Sequence, residues 1–172
     1  MSQASKDFIV SKSDLRTHKL VDTTLPALSE GEVLVKVGKF AFTSNNVTYA
    51  AFGEMMQYWD FFPAPEGFGR VPVWGFGDIV VSNNGGLKVG ERIFGYLPMS
   101  SHVVLRADHV KPAGFVDVSA HRAHLALVYN QYNRVAGDAG YVAKFEDQQA
   151  LLRPLFMTAF FIDDLIADND FF

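Results

Sequence analysis

Residues 72–96, PVWGFGDIVVSNNGGLKVGERIFGY, constrain the fold more than any other stretch of the chain. Ile79-Val80-Val81 and Ile93-Phe94 flank the tetrapeptide Asn83-Asn84-Gly85-Gly86. β-Branched and aromatic side chains suit a pleated, half-buried surface. Asn and Gly adopt positive φ at low cost, so the tetrapeptide predicts a chain reversal. Lys88-Val89-Gly90-Glu91-Arg92 predicts a second turn that launches the next strand. The expectation is compact antiparallel β-structure.

Gly75-Phe76-Gly77 begins like a dinucleotide-binding fingerprint. That fingerprint needs a third glycine three residues on, followed by a helix whose N-terminus meets the pyrophosphate. Val80 stands there instead, inside strand-like sequence. These glycines are therefore expected to let strands pack closely, not to hold phosphate.

A chain of 172 residues, 49% hydrophobic, can bury a sizeable core and has no disordered composition. The formal net charge is −4 with no basic run, which argues against nucleic acid and anionic membrane as partners. Cysteine is absent, which removes disulfides, thiol catalysis and Cys-ligated zinc. The polar start MSQASKDFIV carries no secretory pattern, and no stretch reaches roughly 18 consecutive apolar residues. A cytoplasmic location is expected.

In chain order, Asp7–Val21 reads as one or two strands broken near Lys12-Ser13-Asp14. Glu32–Val37 is a short β-branched run between Gly31 and Gly38, a strand, and Lys39–Phe42 is a candidate continuation beyond a glycine bend. Thr43-Ser44-Asn45-Asn46 offers N-caps for a short helix over Val47–Phe52, with Gly53 at its end. The loop from Glu54 to Arg70 is rich in aromatics, Pro and Gly. It reads either as a lid over the domain's own core or as a ligand-facing loop, with Tyr58, Trp59 and Phe61 as the pocket candidates. Ser101–Leu105 predicts a strand, Ala107-Asp108-His109 a turn, and Val110-Lys111-Pro112 the close of the β-rich part. Ser119–Tyr132 and Glu146–Asp168 predict helices separated by Gly137-Asp138-Ala139-Gly140. The second is apolar around much of its circumference and should be covered on more than one side.

Four segments in order carry a family resemblance. Glu32–Val37 resembles the GEVLVKV strand of the medium-chain dehydrogenase/reductase superfamily. Val89–Gly95 resembles its VGDRV turn and strand, Ser101–Val110 its AEYVVVPADxL segment, and Leu155–Phe160 the start of its LTAY helix. The resemblance implies a mainly β fold with α: a GroES-like, partly open β-barrel over 1–114. A helical extension over 115–172 would lead to a Rossmann domain that is absent from this sequence. The chain is thus expected to be a truncated protein or an isolated domain. Asp163, Asp164 and Asp168 near a helix C-terminus, where acids are disfavoured, and Phe171 and Phe172 at the end, fit that expectation.

Thr43–Gly53 is most similar to the zinc-free quinone oxidoreductases, whose helix reads roughly NxxDTYxRxG. The ungapped register puts Ser44 on the family Asn, and a shift of one residue puts Asn45 there. The resemblance implies Tyr49 as the catalytic residue, and Asn45 and Thr158 as cofactor-binding residues. NAD(P)H is the cofactor implied for the full-length enzyme, with none bound by this fragment. The implied substrate is a small apolar carbonyl or quinone. Residues 54–68 and the insertion from His121 to Gln149 depart from the family pattern, which suggests a divergent branch. Zinc chemistry is not expected, because the family's PGxE stretch reads Pro72-Val73-Trp74-Gly75 here.

Other chemistry is weaker. His121 and His124 are three residues apart but lack an acid at partnering spacing, so no metal site is expected. Asp163-Asp164 and Asp168-Asn169-Asp170 lack the calcium-loop order and read as a solvated acidic face. A tyrosine at position 49 could hydrogen-bond a substrate carbonyl or the cofactor amide and give a proton to a developing oxyanion. The alternative is a free-standing GroES-like binding or assembly module, forming a homo-oligomer through Leu151–Phe172. A third reading is a carrier of a small apolar ligand.

Overall fold

A computed structural model describes residues 3–169. The chain forms a three-stranded sheet, a closed six-stranded barrel, and two α-helices. The first sheet pairs β1 (Gln3–Ser11) with β2 (His18–Leu25) and, on its other edge, with two-residue β4 (Phe68–Gly69). The break between β1 and β2 falls at 12–17, around the expected Lys12–Asp14 turn.

The barrel runs β3 (Glu32–Ala41), β5 (Pro72–Ser82), β6 (Arg92–Pro98), β9 (Gln131–Arg134), β8 (Gly114–Asp117), β7 (His102–Lys111), and closes between β7 and β3. All neighbouring pairs are antiparallel. The fold is mainly β with α, a barrel followed by helix, as expected. The expected partly open barrel is closed here, because β9 bridges β6 and β8. Val33, Val35, Val73, Ile79, Ile93, Leu97, Leu105, Phe115 and Tyr132 alternate inward and fill it. β3 does continue past Gly38, where the register against β5 shifts.

The organising stretch folds as the antiparallel pair β5–β6, with Trp74 opposite Tyr96 and Gly75 opposite Gly95. Gly75 and Gly77 are mid-strand. A Cβ at Gly75 would sit 2.3 Å from the Lys39 carbonyl oxygen, and one at Gly77 2.6 Å from a Val35 methyl. The glycines serve strand approach, not phosphate. In the reversal, Asn84 Oδ1 accepts from Gly86 N–H (2.9 Å) and Asn84 Nδ2 donates to the Ala107 carbonyl (2.8 Å). The positive φ expected at the Asn-Gly residues lies instead at Gly90, in the second turn.

Three local expectations are corrected. The turn at Ala107-Asp108-His109 is a bulge within β7, with His109 left-handed at φ 50°. The β-structure does not close at Pro112, since β8 and β9 both include residues beyond 114. The helix expected over Ser119–Tyr132 is replaced by 3₁₀ turns at Ala120–Arg122 and Leu127–Tyr129, then β9. Side chains there satisfy the backbone locally and compete with helix. Asp117 Oδ1 accepts from Ser119 N–H (3.0 Å) and Oγ (2.6 Å), and Asn130 Nδ2 donates to the Arg122 carbonyl (3.1 Å).

The helices are α1 (Ser44–Ala51) and α2 (Glu146–Asp168). α2 has its expected bounds. Its first turns dock on β3 and β5 through Glu146 and Ala150, both buried. From Leu151 on, Leu152, Phe156, Phe160, Phe161 and Leu165 are exposed, and among the described residues nothing covers them. Phe171 and Phe172 lie outside the described residues. No helix among the described residues is long and apolar enough to cross a membrane.

Candidate functional site

α1 is fixed at both ends of its first turn. Asn46 Oδ1 accepts from the Thr43 N–H (2.6 Å), and Asn46 Nδ2 donates to the Pro72 carbonyl on β5 (2.8 Å). With Asn46 committed to the barrel, Asn45 remains exposed, and Tyr49 follows four residues on along the same helix face. Both line a cleft of about 1150 Å³ between the barrel and α2. A smaller niche of about 30 Å³, walled by Thr43, Asn46, Ala150 and Leu151 among others, adjoins it at Asn45, Tyr49 and Trp74.

The barrel side of the cleft is aromatic. Trp74 from β5 stacks on Phe94 from β6, with ring centres 5.8 Å apart and planes 20° apart. Tyr129 packs against Trp74 at 5.9 Å and Tyr96 at 4.8 Å. The ring of Tyr49 lies 4.5 Å from Tyr58 and 5.8 Å from Tyr96. The α2 side offers Leu152, Pro154, Leu155, Phe156, Met157 and Thr158. Polar groups also line it: Gln131, Asn133 and Gln148, and the ion pair of Arg153 and Asp138 (2.6 Å).

Burial pushes the Tyr49 hydroxyl above its ordinary value of 10.0, and the neighbouring Tyr58 adds to the rise. Burial does the same to Tyr129. At neutral pH both remain protonated and can donate a hydrogen bond.

Tyr129 stands at the end of a 3₁₀ turn, and a buried cation anchors it. Arg122, 1% exposed, donates from its terminal nitrogens to Asp117 Oδ2 (2.5 Å), the Tyr132 hydroxyl (2.9 Å) and the Tyr129 carbonyl (3.0 Å). Phe61 and Phe62 pack over its guanidinium. A buried charge with this many partners fixes the backbone around it.

The structure brings Asn45, Tyr49 and Thr158 to one cleft, although Thr158 is over a hundred residues away. Ser44, the other reading of the Asn position, does not line it. Tyr58, Trp59 and Phe61 do not line it either. Tyr58 and Phe61 are buried in the main core behind Tyr49 and Tyr129, and Trp59 packs with Val10, Ala50 and Val71. The aromatic loop is therefore a lid on the domain's own core. His124 pairs with Asp60 (3.2 Å) and His121 meets the Phe61 carbonyl (3.3 Å), so both histidines tether that loop. Among the described residues no group of three or more His, Cys, Asp or Glu could hold a metal.

Sequence reasoning missed Trp74, Phe94, Tyr129 and Arg153. The alternation along β5 and β6 would have pointed Trp74 and Phe94 to one side. Tyr129 sits in the segment misread as helix.

A family model described as "Protein of unknown function (DUF2855)" matches residues 40–172. Among curated proteins none matches. Among solved structures, the quinone oxidoreductase from Coxiella burnetii is similar at 14% identity and a TM-score of 0.42. The match covers 74% of this chain but only 40% of that one, so this chain spans well under half of that protein's length.

Proposed function

The chain belongs to the DUF2855 family, and we propose that it is the substrate-side domain of a zinc-independent, NAD(P)H-dependent reductase of quinones or enoyl compounds. The observation that carries this reading is the meeting of Asn45, Tyr49 and Thr158 in one cleft with aromatic and aliphatic walls. Those residue types suit the task. A planar conjugated carbonyl compound would lie against Trp74 and Tyr129, where π-faces bind flat rings. The protonated Tyr49 hydroxyl would hydrogen-bond the carbonyl oxygen and give up its proton as negative charge develops there. Leu152, Leu155 and Phe156 would give the ligand an apolar wall.

Asn45 and Thr158 offer hydrogen-bonding groups for the amide of a nicotinamide ring, which when bound would supply the hydride. The described residues offer no cradle for its pyrophosphate, since Gly75 and Gly77 are buried mid-strand. This chain alone is therefore expected neither to hold NADPH tightly nor to turn over. A micromolar NADPH affinity measured for these 172 residues would overturn that expectation.

The test of activity uses the intact gene product, following NADPH oxidation with naphthoquinone and a panel of enones. Quinone-dependent oxidation supports the proposal, and none with any acceptor sinks it. A second reading, a binding or assembly module, is favoured by the uncovered apolar face of α2. It predicts a stable homo-oligomer of this chain by light scattering.

A further inference from the structure

The floor of the cleft is a continuous stack of three planar groups, and its last member is charged. Trp74 stacks on Phe94, and the Arg153 guanidinium lies over Phe94, 5.2 Å from its ring centre. All three line the cleft. Among the described residues, Arg153 and Asp138 are the only charged ones that do so. Of the five guanidinium N–H donors, one is committed to Asp138 Oδ2 at 2.6 Å, and among the described residues no further hydrogen bond engages the rest. The side chain is 20% exposed, so its remaining donors face a partly desolvated site where charge-assisted hydrogen bonds are strong. Stacking on Phe94 and the tie to Asp138 hold the guanidinium in one orientation, which lowers the ordering cost of binding a ligand.

We infer that Arg153 is a specificity-determining residue, and that the cleft selects planar aromatic compounds carrying an anionic oxygen group, a carboxylate or sulfonate, that meets Arg153. The ring would lie along Trp74 and Phe94, and the anion would take the free donors of Arg153. Asp138 is the counter-element. Its carboxylate competes with the ligand's anion, so neutralising it should tighten binding. The inference rests on the cleft being the substrate site, but not on turnover.

The test is calorimetric titration of this chain with naphthoquinone and with naphthoquinone sulfonate, without cofactor. The absence of cysteine removes thiol addition to the quinone as a complication. The sulfonate should bind roughly tenfold tighter than the neutral ring. Arg153→Gln should abolish that preference, bringing the two probes to within about twofold of each other. Asp138→Asn should raise the sulfonate affinity further, by roughly fivefold, which supplies a gain of function that a misfolded variant cannot mimic. Equal binding of the two probes, or a preference that survives Arg153→Gln, overturns the inference and leaves the substrate-site reading standing. Failure of both probes to bind sinks both.

Discussion

Arg92 on β6 reaches out of the barrel and donates from Nε to Oε1 of Glu146, 2.5 Å away, the first residue of α2. Its Nη1 also donates to both Asp78 oxygens at 2.8 Å, and Lys39 and Tyr141 converge on the same glutamate. One guanidinium thus ties the helix that forms a cleft wall to two barrel strands. Without Arg92 the buried Glu146 keeps only Lys39, 3.2 Å away, and the Tyr141 hydroxyl, so its charge is partly compensated. Glu146 is buried and Arg92 24% exposed, so Arg92→Met should cost about 2–3 kcal/mol, at the lower edge of buried pairs. Urea unfolding measures it, and a loss below about 0.5 kcal/mol would reduce the pair to the worth of a surface contact.

The same pair sets a pH dependence. The Arg92 hydrogen bond, with help from Tyr141 and Lys39 and against the effect of burial, holds the Glu146 carboxyl down to about 2 from 4.5. The folded value is the lower one, so the native state favours the ionised form. Its contribution is complete above pH 4.5 and is lost as pH falls from there toward 2. The urea midpoint should decline over this window, and Glu146→Gln should flatten the decline while lowering stability at neutral pH. Parallel pH profiles for the two proteins would assign the acid sensitivity elsewhere.

Gly95 lies directly under Tyr132. A Cβ there would meet Tyr132 Cδ1 at 2.4 Å. The ring cannot retreat, because Tyr132 is fully buried, stacks on Phe115, and bonds the Tyr96 carbonyl (2.6 Å) and Arg122. Gly95→Ala should therefore destabilise by about 3 kcal/mol, as overpacking does in a core without slack. Gly85→Ala is the control, since nothing stands within 4 Å of its Cβ position. A thermal melt that shifts equally for both would show that backbone freedom, not the Tyr132 contact, sets the cost.

The regular parts of this fold were legible wherever a hydrophobic period ran unbroken. Glu32–Val37, Ile79–Val81 and the 23 residues of α2 declare strand and helix through side-chain spacing alone. The segment from Ala107 to Tyr132 did not, for a physical reason. Its conformation is set by side-chain bonding that no hydrophobic period reports: Asp117 and Tyr132 bond Arg122 beneath the distant Phe61 and Phe62, and β7 bulges at Asp108–His109. A buried arginine with four aromatic and carboxylate neighbours looks, in one dimension, like an exposed helical one. The cleft was half legible. Asn45, Tyr49 and Thr158 came from motif likeness, whereas Trp74, Phe94 and Tyr129 face it because β6 pairs with β5 and β9. The exposed-looking Tyr58, Trp59 and Phe61 belong to the core because Gln57, left-handed at φ 59°, folds the loop back onto the barrel.

If Tyr49 is the proton donor, its effect should separate from its packing. Tyr49→Phe keeps the ring against Tyr58 and Tyr96 and gives up the hydroxyl with its hydrogen bond to the Trp74 side chain. The variant should unfold within about 1 kcal/mol of the parent, the net worth of one hydrogen bond. In the intact gene product its quinone reduction should fall by roughly 10²–10³-fold in kcat, the usual scale of general acid catalysis, with KM changing less than about threefold. Burial raises the hydroxyl above its ordinary value of 10.0, so the parent's rate should stay level through neutral pH and fall only in the alkaline range. A Tyr49→Phe enzyme with the parent's kcat would show that the proton reaches the carbonyl by another route, with Tyr129, the other cleft hydroxyl held protonated by burial, as the next residue to replace.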